Sequence, residues 1–274
     1  MKKIIWIASY PKSGNTYVRA FLSHYLYPKN IKTDFSLLKK IPKFERKETF
    51  EKILNKKIFN ENFDFLKYSQ EVQSKLIKNF QQKELIYKTH YFYGSLNNYT
   101  FTSKKNTLLF IYIVRDPREV LISYAYHNNI SIDEQLKDFT SSNIINVIGS
   151  ETIVNWSLHY KSWKSFINVP SIFLKYEDLV LNPKKNFEKL INFLSQYIDI
   201  DLDTKILNQA IQKTQFTKLK KLEKSLGFQE SNKKGVFFRS GKIDSWKKIL
   251  SKDQKNKVEK AFYSEMKKLN YIKK

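Results

Sequence analysis

An apolar run from Ile4 to Ala8 opens the chain, of strand length and uninterrupted enough for burial on both faces of a parallel sheet. A polar turn follows, and from Val18 the apolar positions recur at helical spacing through Phe21, Leu22 and Tyr25. The pattern predicts strand, turn, helix. Glu84 to His90 predicts a second short strand ending in polar residues, and Thr107 to Val114 is the strongest buried-strand signal in the chain. Directly after it, Asp116 is suited to cap a helix, Pro117 to fill its first position and Glu119 to complete a capping box, with Val120, Leu121 and Tyr124 as the apolar stripe. Ile172 to Tyr176 predicts a further strand, leading through Glu177-Asp178 and Asn182-Pro183 to a helix marked by Phe187, Leu190, Ile191 and Leu194. Between residues 28 and 84 the pattern is amphipathic, with Phe50, Ile53 and Leu54, then Val72, Leu76 and Phe80, and reads as helical decoration on the core.

Strands alternating with helices predict an α/β fold, a central parallel β-sheet flanked by helices with right-handed crossovers. No Gly/Ser/Pro-rich linker and no long-period repeat divides the sequence, so residues 1–274 read as a single domain. Ligands of such sheets sit beyond the carboxyl ends of the strands. Lys12, His90, Arg115 and the segment Tyr176 to Asp178 all lie at or just past predicted strand ends, so the fold gathers them along one edge.

The first turn has its own chemistry. Lys12, Ser13, Gly14, Asn15 and Thr16 supply a cation, hydroxyl and amide donors, and a glycine that lets the backbone approach an anion, all at a helix start whose dipole favours negative charge. A phosphate or sulfate group fits. The nucleotide-binding pattern G-x-x-x-x-G-K-[ST] is absent, because the lysine precedes the glycine and no first glycine exists.

Composition then narrows the classes. A hydrophobic content of 41% with 15% aromatics argues against disorder. The absence of cysteine excludes disulfides, thiolate metal sites and cysteine nucleophiles. The run at Ile4 falls far short of the roughly 20 residues of a membrane span. It also lacks the length and the small-residue cleavage site of a signal peptide, so neither feature is expected. A net charge of +24 draws anions toward the protein, although lysine scattered among asparagine and isoleucine is equally explained by composition bias.

In their order and spacing the motifs resemble the sulfotransferases that use 3′-phosphoadenosine 5′-phosphosulfate (PAPS). Tyr10-Pro11-Lys12-Ser13-Gly14-Asn15-Thr16-Tyr17 is similar to that family's 5′-phosphosulfate loop, Lys88-Thr89-His90 to its catalytic-histidine segment, and Arg115 to Ser123 to its 3′-phosphate motif. Trp156 to Trp163, Tyr176-Glu177-Asp178, Thr214-Gln215-Phe216 and Arg239-Ser240-Gly241-Lys242-Ile243-Asp244-Ser245-Trp246 follow in the family's order. The sequence departs from the pattern at Asn15 for threonine, Tyr17 for tryptophan, Ser240 for a basic residue, and Asp244-Ser245-Trp246 for Gly-Asp-Trp.

The resemblance implies a P-loop NTPase-like fold, PAPS as co-substrate without a metal, a small-molecule, glycan or lipid acceptor with no nucleic acid partner, and a cytoplasmic location. It implies sulfuryl transfer to a hydroxyl, or to an amine, with Lys12 on the leaving phosphate, His90 as general base and Lys88 assisting. Ser13, Gly14, Asn15 and Thr16 then hold the phosphosulfate, and Arg115, Ser123, Arg239, Ser240 and Gly241 the 3′-phosphate. Tyr17, Tyr176, Thr214 and Phe216 contact the adenine. The plain alternative for Arg115 is an ion pair with Glu119, which is the better account of Arg118, and His24, His127 and His159 read as structural. Two other functions compete: a P-loop-type small-molecule kinase, which needs magnesium, and a basic polyanion-binding protein without catalysis.

Overall fold

The computed structural model describes residues 2–28, 35–59, 61–79, 84–141, 146–148, 151–228 and 237–272. Four strands, β1 (Ile4–Ser9), β2 (Leu85–Thr89), β3 (Thr107–Val114) and β4 (Ser171–Lys175), form a parallel sheet in the order β2-β1-β3-β4. Every residue of β1 and β2 is buried, as their continuous apolar runs demand, while β4 at the edge alternates. Two short antiparallel hairpins, Ser95–Leu96 with Tyr99–Thr100 and Asn146–Ile148 with Glu151–Ile153, stand apart from this sheet.

Around the sheet lie α1 (Asn15–Leu26), α2 (Lys47–Leu54), α3 (Glu61–Lys67), α4 (Ser69–Asn79), α5 (Pro117–Asn128), α6 (Ile132–Thr140) and α7 (Trp156–Lys164). They are followed by α8 (Tyr176–Leu181), α9 (Pro183–Leu194), α10 (Thr204–Lys213), α11 (Phe216–Leu226), α12 (Trp246–Ile249) and α13 (Lys252–Lys268). The expected helical decoration between 28 and 84 is α2 to α4; Phe80 falls outside the described residues. Among the described residues no helix is long and apolar enough to cross a membrane.

Strand alternation sorts the core into two halves. Trp6, Phe110 and Tyr112 face an aromatic half with Phe44, Phe50, Phe101 and Trp163. Ile5, Ile7, Ile111 and Ile113 face a mostly aliphatic half with Val18, Leu190, Ile191 and Leu207. Phe21 of α1 stacks on Phe187 of α9 at 3.6 Å between ring centroids, joining the two helices over the aliphatic face.

β3 has the expected bounds, and the others differ by a residue or two. Tyr176 ends no strand; it opens α8, because Glu177 and Asp178 favour a helix N-terminus at that point. The start of α5 holds a larger correction. Asp116 caps it through the Arg118 amide and Pro117 fills the first turn, but Glu119 does not close a capping box. The amide of Asp116 is taken by Glu177 Oε1 at 2.9 Å, which frees Glu119 for other partners.

β1 has β2 on one side and β3 on the other, so the chain reverses its direction of sheet growth beside β1. Ligands of open α/β sheets bind at such a point.

Candidate active site

The turn leaving β1 is shaped by two left-handed residues, Lys12 at φ 64° and Gly14 at φ 100°. A non-glycine in that region costs about 1–2 kcal/mol, a strain typical of ligand sites. Gly14 is required twice over, since a Cβ there would lie 2.4 Å from Cδ2 of Tyr176. Asn15 points back to the sheet, its Nδ2 donating to Ile7 O at 3.0 Å and Ser9 Oγ at 3.3 Å, and so fixes the first turn of α1 to the end of β1. The Lys12 ammonium lies 4.1 Å from the centroid of Phe237.

Arg115, at the end of β3, reaches across the same edge. Its Nη1 donates to Lys12 O at 3.1 Å and its Nη2 to Glu119 Oε2 at 3.3 Å and Lys242 O at 3.4 Å. The guanidinium carbon sits 4.4 Å from the Tyr176 ring centroid, and Nε is buried with no hydrogen-bond partner among the described residues. Glu119 also accepts from Ser245 Oγ at 2.8 Å and from the Trp246 amide at 2.9 Å, so it ties Arg115 to the 239–246 segment. Arg118 does not pair with Glu119 as expected. It forks onto Asp116, reaches Glu259 at 2.6 Å and Tyr271 O at 2.8 Å, and covers the Trp246 ring, anchoring α5 to α13.

The 237–241 segment is pinned independently. Glu223 of α11 accepts the amides of Phe237 at 2.6 Å and Phe238 at 2.8 Å. Gly241 lies at φ 62° against the Phe216 ring, where a Cβ would come within 2.4 Å.

His90 follows β2. Its Nδ1 lies 2.7 Å from Ser9 O, which can only accept, so Nδ1 carries a proton and, in the neutral form of the ring, the lone pair falls on Nε2. The carbonyl of His90 is in turn held by His159 Nε2 at 2.9 Å, and His159 Nδ1 accepts from Tyr112 OH at 2.8 Å. Thr89 Oγ1 donates to buried Glu45 at 2.5 Å. This lattice fixes the height of the imidazole at the sheet edge.

These residues surround one cleft of about 890 Å³. Lys12, Gly14, Asn15, Thr16, Tyr17, Lys88, His90, Arg115, Ser123, Tyr176, Phe216, Arg239, Ser240 and Gly241 all line it. Two expected residues do not. Ser13 is buried beneath the turn, and Thr214 is fully buried with its hydroxyl donated to Ala210 O at 2.7 Å, because it closes the C-terminus of α10. Its neighbour Gln215 lines the cleft instead. His159 is the packed residue expected, whereas His127, read as structural, lines the cleft near Phe237. Lys43, Tyr124, Phe237 and Phe238 also line it, and none of them stands in a motif that singles it out in the sequence. The Phe-Phe pair directly before Arg239 was the available signal for the last two. Burial, reinforced by Tyr176, pushes the Tyr17 phenol up to about 12, so it faces the cleft neutral.

A strained turn at a helix start faces an arginine across the end of a parallel sheet, an arrangement suited to an anion. The sulfotransferase domain family matches residues 2–270, and the chain belongs to that family. An amine sulfotransferase of Oryctolagus cuniculus is 24% identical over 179 residues, 60% of this chain and 56% of that protein. Sulfotransferase 1B1 of Canis lupus familiaris is 29% identical over 178 residues, 59% of this chain and again 56% of the relative, so the matched region spans little more than half of either protein. A flavonol 3-sulfotransferase of Flaveria bidentis matches more widely, at 24% over 273 residues, 93% of this chain and 79% of its own. Among solved structures, retinol dehydratase in complex with androsterone and inactive cofactor PAP aligns at a TM-score of 0.67 and 16% identity, covering 96% of this chain and 80% of that one. Mouse sulfotransferase SULT7A1 complexed with PAP aligns at 0.61 and 17%, covering 97% and 85%. The fold is the P-loop-like sulfotransferase fold.

Proposed function

We propose that the protein is a single-domain, cytoplasmic sulfotransferase that moves a sulfuryl group from PAPS to a hydroxyl, or an amine, of a small acceptor. The observation that carries this reading is the pairing of two cationic ends in one cleft, Lys12 in its strained turn and Arg115 with Arg239 beyond it. The residues fit such a co-substrate. No aspartate or glutamate lines the cleft among the described residues, Gly14 leaves room that a Cβ would fill, and the buried Arg115 Nε is available to an acceptor oxygen.

Arg115, Ser123, Arg239, Ser240 and Gly241 would hold the 3′-phosphate, with Arg115 oriented for it by Glu119. Tyr17, Tyr176 and Phe216 offer aromatic surface to the adenine. Gly14, Asn15 and Thr16 present the α1 N-terminus to the phosphosulfate, and Lys12 and Lys88 stabilise charge on the phosphate oxygen as its bond to sulfur breaks. His90 Nε2 accepts the proton of the acceptor oxygen as that oxygen bonds sulfur. The pair of electrons leaves with the phosphate, giving 3′-phosphoadenosine 5′-phosphate (PAP) and the sulfated acceptor.

Calorimetric titration with PAP, alongside turnover of labelled PAPS over a panel of alcohols, phenols and amines, tests the proposal. Micromolar or tighter PAP binding that ATP does not displace is expected. Absence of PAP binding would sink the reading.

A further inference from the structure

We infer that Lys43 makes this site selective for an acceptor that carries a negative group, a carboxylate or a phosphate, near the hydroxyl or amine to be sulfated. The inference rests on the sulfuryl-transfer reading and adds to it the chemical class of the acceptor.

Lys43 reaches the site by a single parallel bridge to Lys88, in which the Phe44 amide donates to Lys88 O at 2.9 Å and the Lys88 amide to Pro42 O at 2.9 Å. Bridged residues on parallel neighbours project to the same face, and so does the residue two positions along. Lys43, Lys88 and His90 therefore share one face, and all three line the cleft. Phe44, the next residue, points the other way into the aromatic core, 5.1 Å from Trp6 between ring centroids.

Position across the sheet gives Lys43 its meaning. β2 is an edge strand whose inner side is taken by β1, so the bridge places Lys43 on its outer side. The order along the carboxyl edge is then Lys43, Lys88 with His90, Lys12, Arg115 and Tyr176. A nucleotide running from Arg115 to Lys12 brings its sulfuryl group toward His90. Lys43 lies one strand further out, about 14 Å from the Arg115 end at three strand spacings. It is thus on the acceptor's side of the transferred group and outside both anion cradles assigned to PAPS.

The Lys43 ammonium is a compact cation with rotatable donors on a flexible stem, on the acceptor's side of the cleft. An anionic group on the acceptor would pair with that ammonium and set its nucleophilic oxygen or nitrogen beside His90. Carboxylate and phosphate share this chemistry, so both are used as probes.

The test is calorimetric titration of the PAP-saturated protein with 4-hydroxyphenylacetate, 4-hydroxyphenyl phosphate and the neutral methyl 4-hydroxyphenylacetate. At least one anion is expected to bind about tenfold or more tightly than the ester. Which anion binds better identifies the group. Lys43→Gln should bring the anions to the level of the ester without altering PAP affinity, and Lys43→Arg should keep the preference. Equal or tighter binding of the ester to the unsubstituted protein overturns the inference. So does a Lys43→Gln variant that loses PAP affinity while keeping the preference, since Lys43 then belongs to the nucleotide end. Failure of the unsubstituted protein to bind PAP is a separate result, and it strikes the sulfuryl-transfer reading itself.

Discussion

Arg115 and Glu119 form an ion pair at 3.3 Å, one helical turn apart, with their side chains only 9% and 1% exposed. The carboxylate is shared with Ser245 Oγ and the Trp246 amide, so one acidic group both aims the arginine and fastens the segment that closes the cleft. Glu119→Ala strands a buried guanidinium and releases that segment. It should cost about 3 kcal/mol of stability in urea unfolding and weaken PAP binding about tenfold. Glu119→Gln, which keeps acceptors for Ser245 and Trp246, should lose less of both. Unchanged PAP affinity in Glu119→Ala would remove the link between the pair and the nucleotide.

The tautomer of His90 separates binding from chemistry. His90→Ala should lower kcat by about 100-fold or more, the scale of general-base catalysis, with PAP affinity within about twofold of the unsubstituted protein. Lys12→Met should lower kcat at least as far, and PAP binding with it, if Lys12 holds the leaving phosphate as proposed. Titration calorimetry and single-turnover rates with labelled PAPS distinguish the two patterns.

Gly14→Ala places a methyl group 2.4 Å from the Tyr176 ring at φ 100°. The ring and the backbone cannot both stay, so a loss of about 1–3 kcal/mol is expected. Because Tyr176 also stacks with Arg115, PAP binding should fall with the melting temperature.

Burial, with Lys213 adding to it, lowers the His24 imidazole from 6.5 to about 4. The unfolded chain therefore binds this proton first as the pH drops. The contribution to stability is complete above about pH 6.5 and declines down to about pH 4. His24→Gln should flatten that part of the stability profile, read as melting temperature against pH.

Much of this architecture was legible because it is written locally. After Thr107 the residues of β3 form an unbroken hydrophobic run that stops at the charged Arg115, and the strand has the bounds that pattern implies. The gathering of Lys12, His90, Arg115 and Tyr176 followed from strand ends alone. What escaped depends on partners distant in sequence. Glu119 has the residue type and spacing of a capping box, but Ser245, 126 residues away, claims it and Glu177 substitutes for it. Thr214 and Gln215 are adjacent and polar, and only the C-terminus of α10 decides which of them is buried. Lys43 sits in no periodic segment, since one isolated bridge holds it, and single bridges leave no pattern in a sequence.

Those distant partners have a kinetic corollary. Arg115 meets Lys12 across 103 residues and Lys242 across 127, and Arg118 meets Tyr271 across 153. Closing such loops costs entropy before any contact repays it, and the β1–β3 pairing of Ile4 with Thr107 spans the same 103 residues, so the cleft is assembled with the sheet, after the local helices have formed. A refolding chain should regain its helical signal in an early phase and its capacity to bind a nucleotide only in the last one.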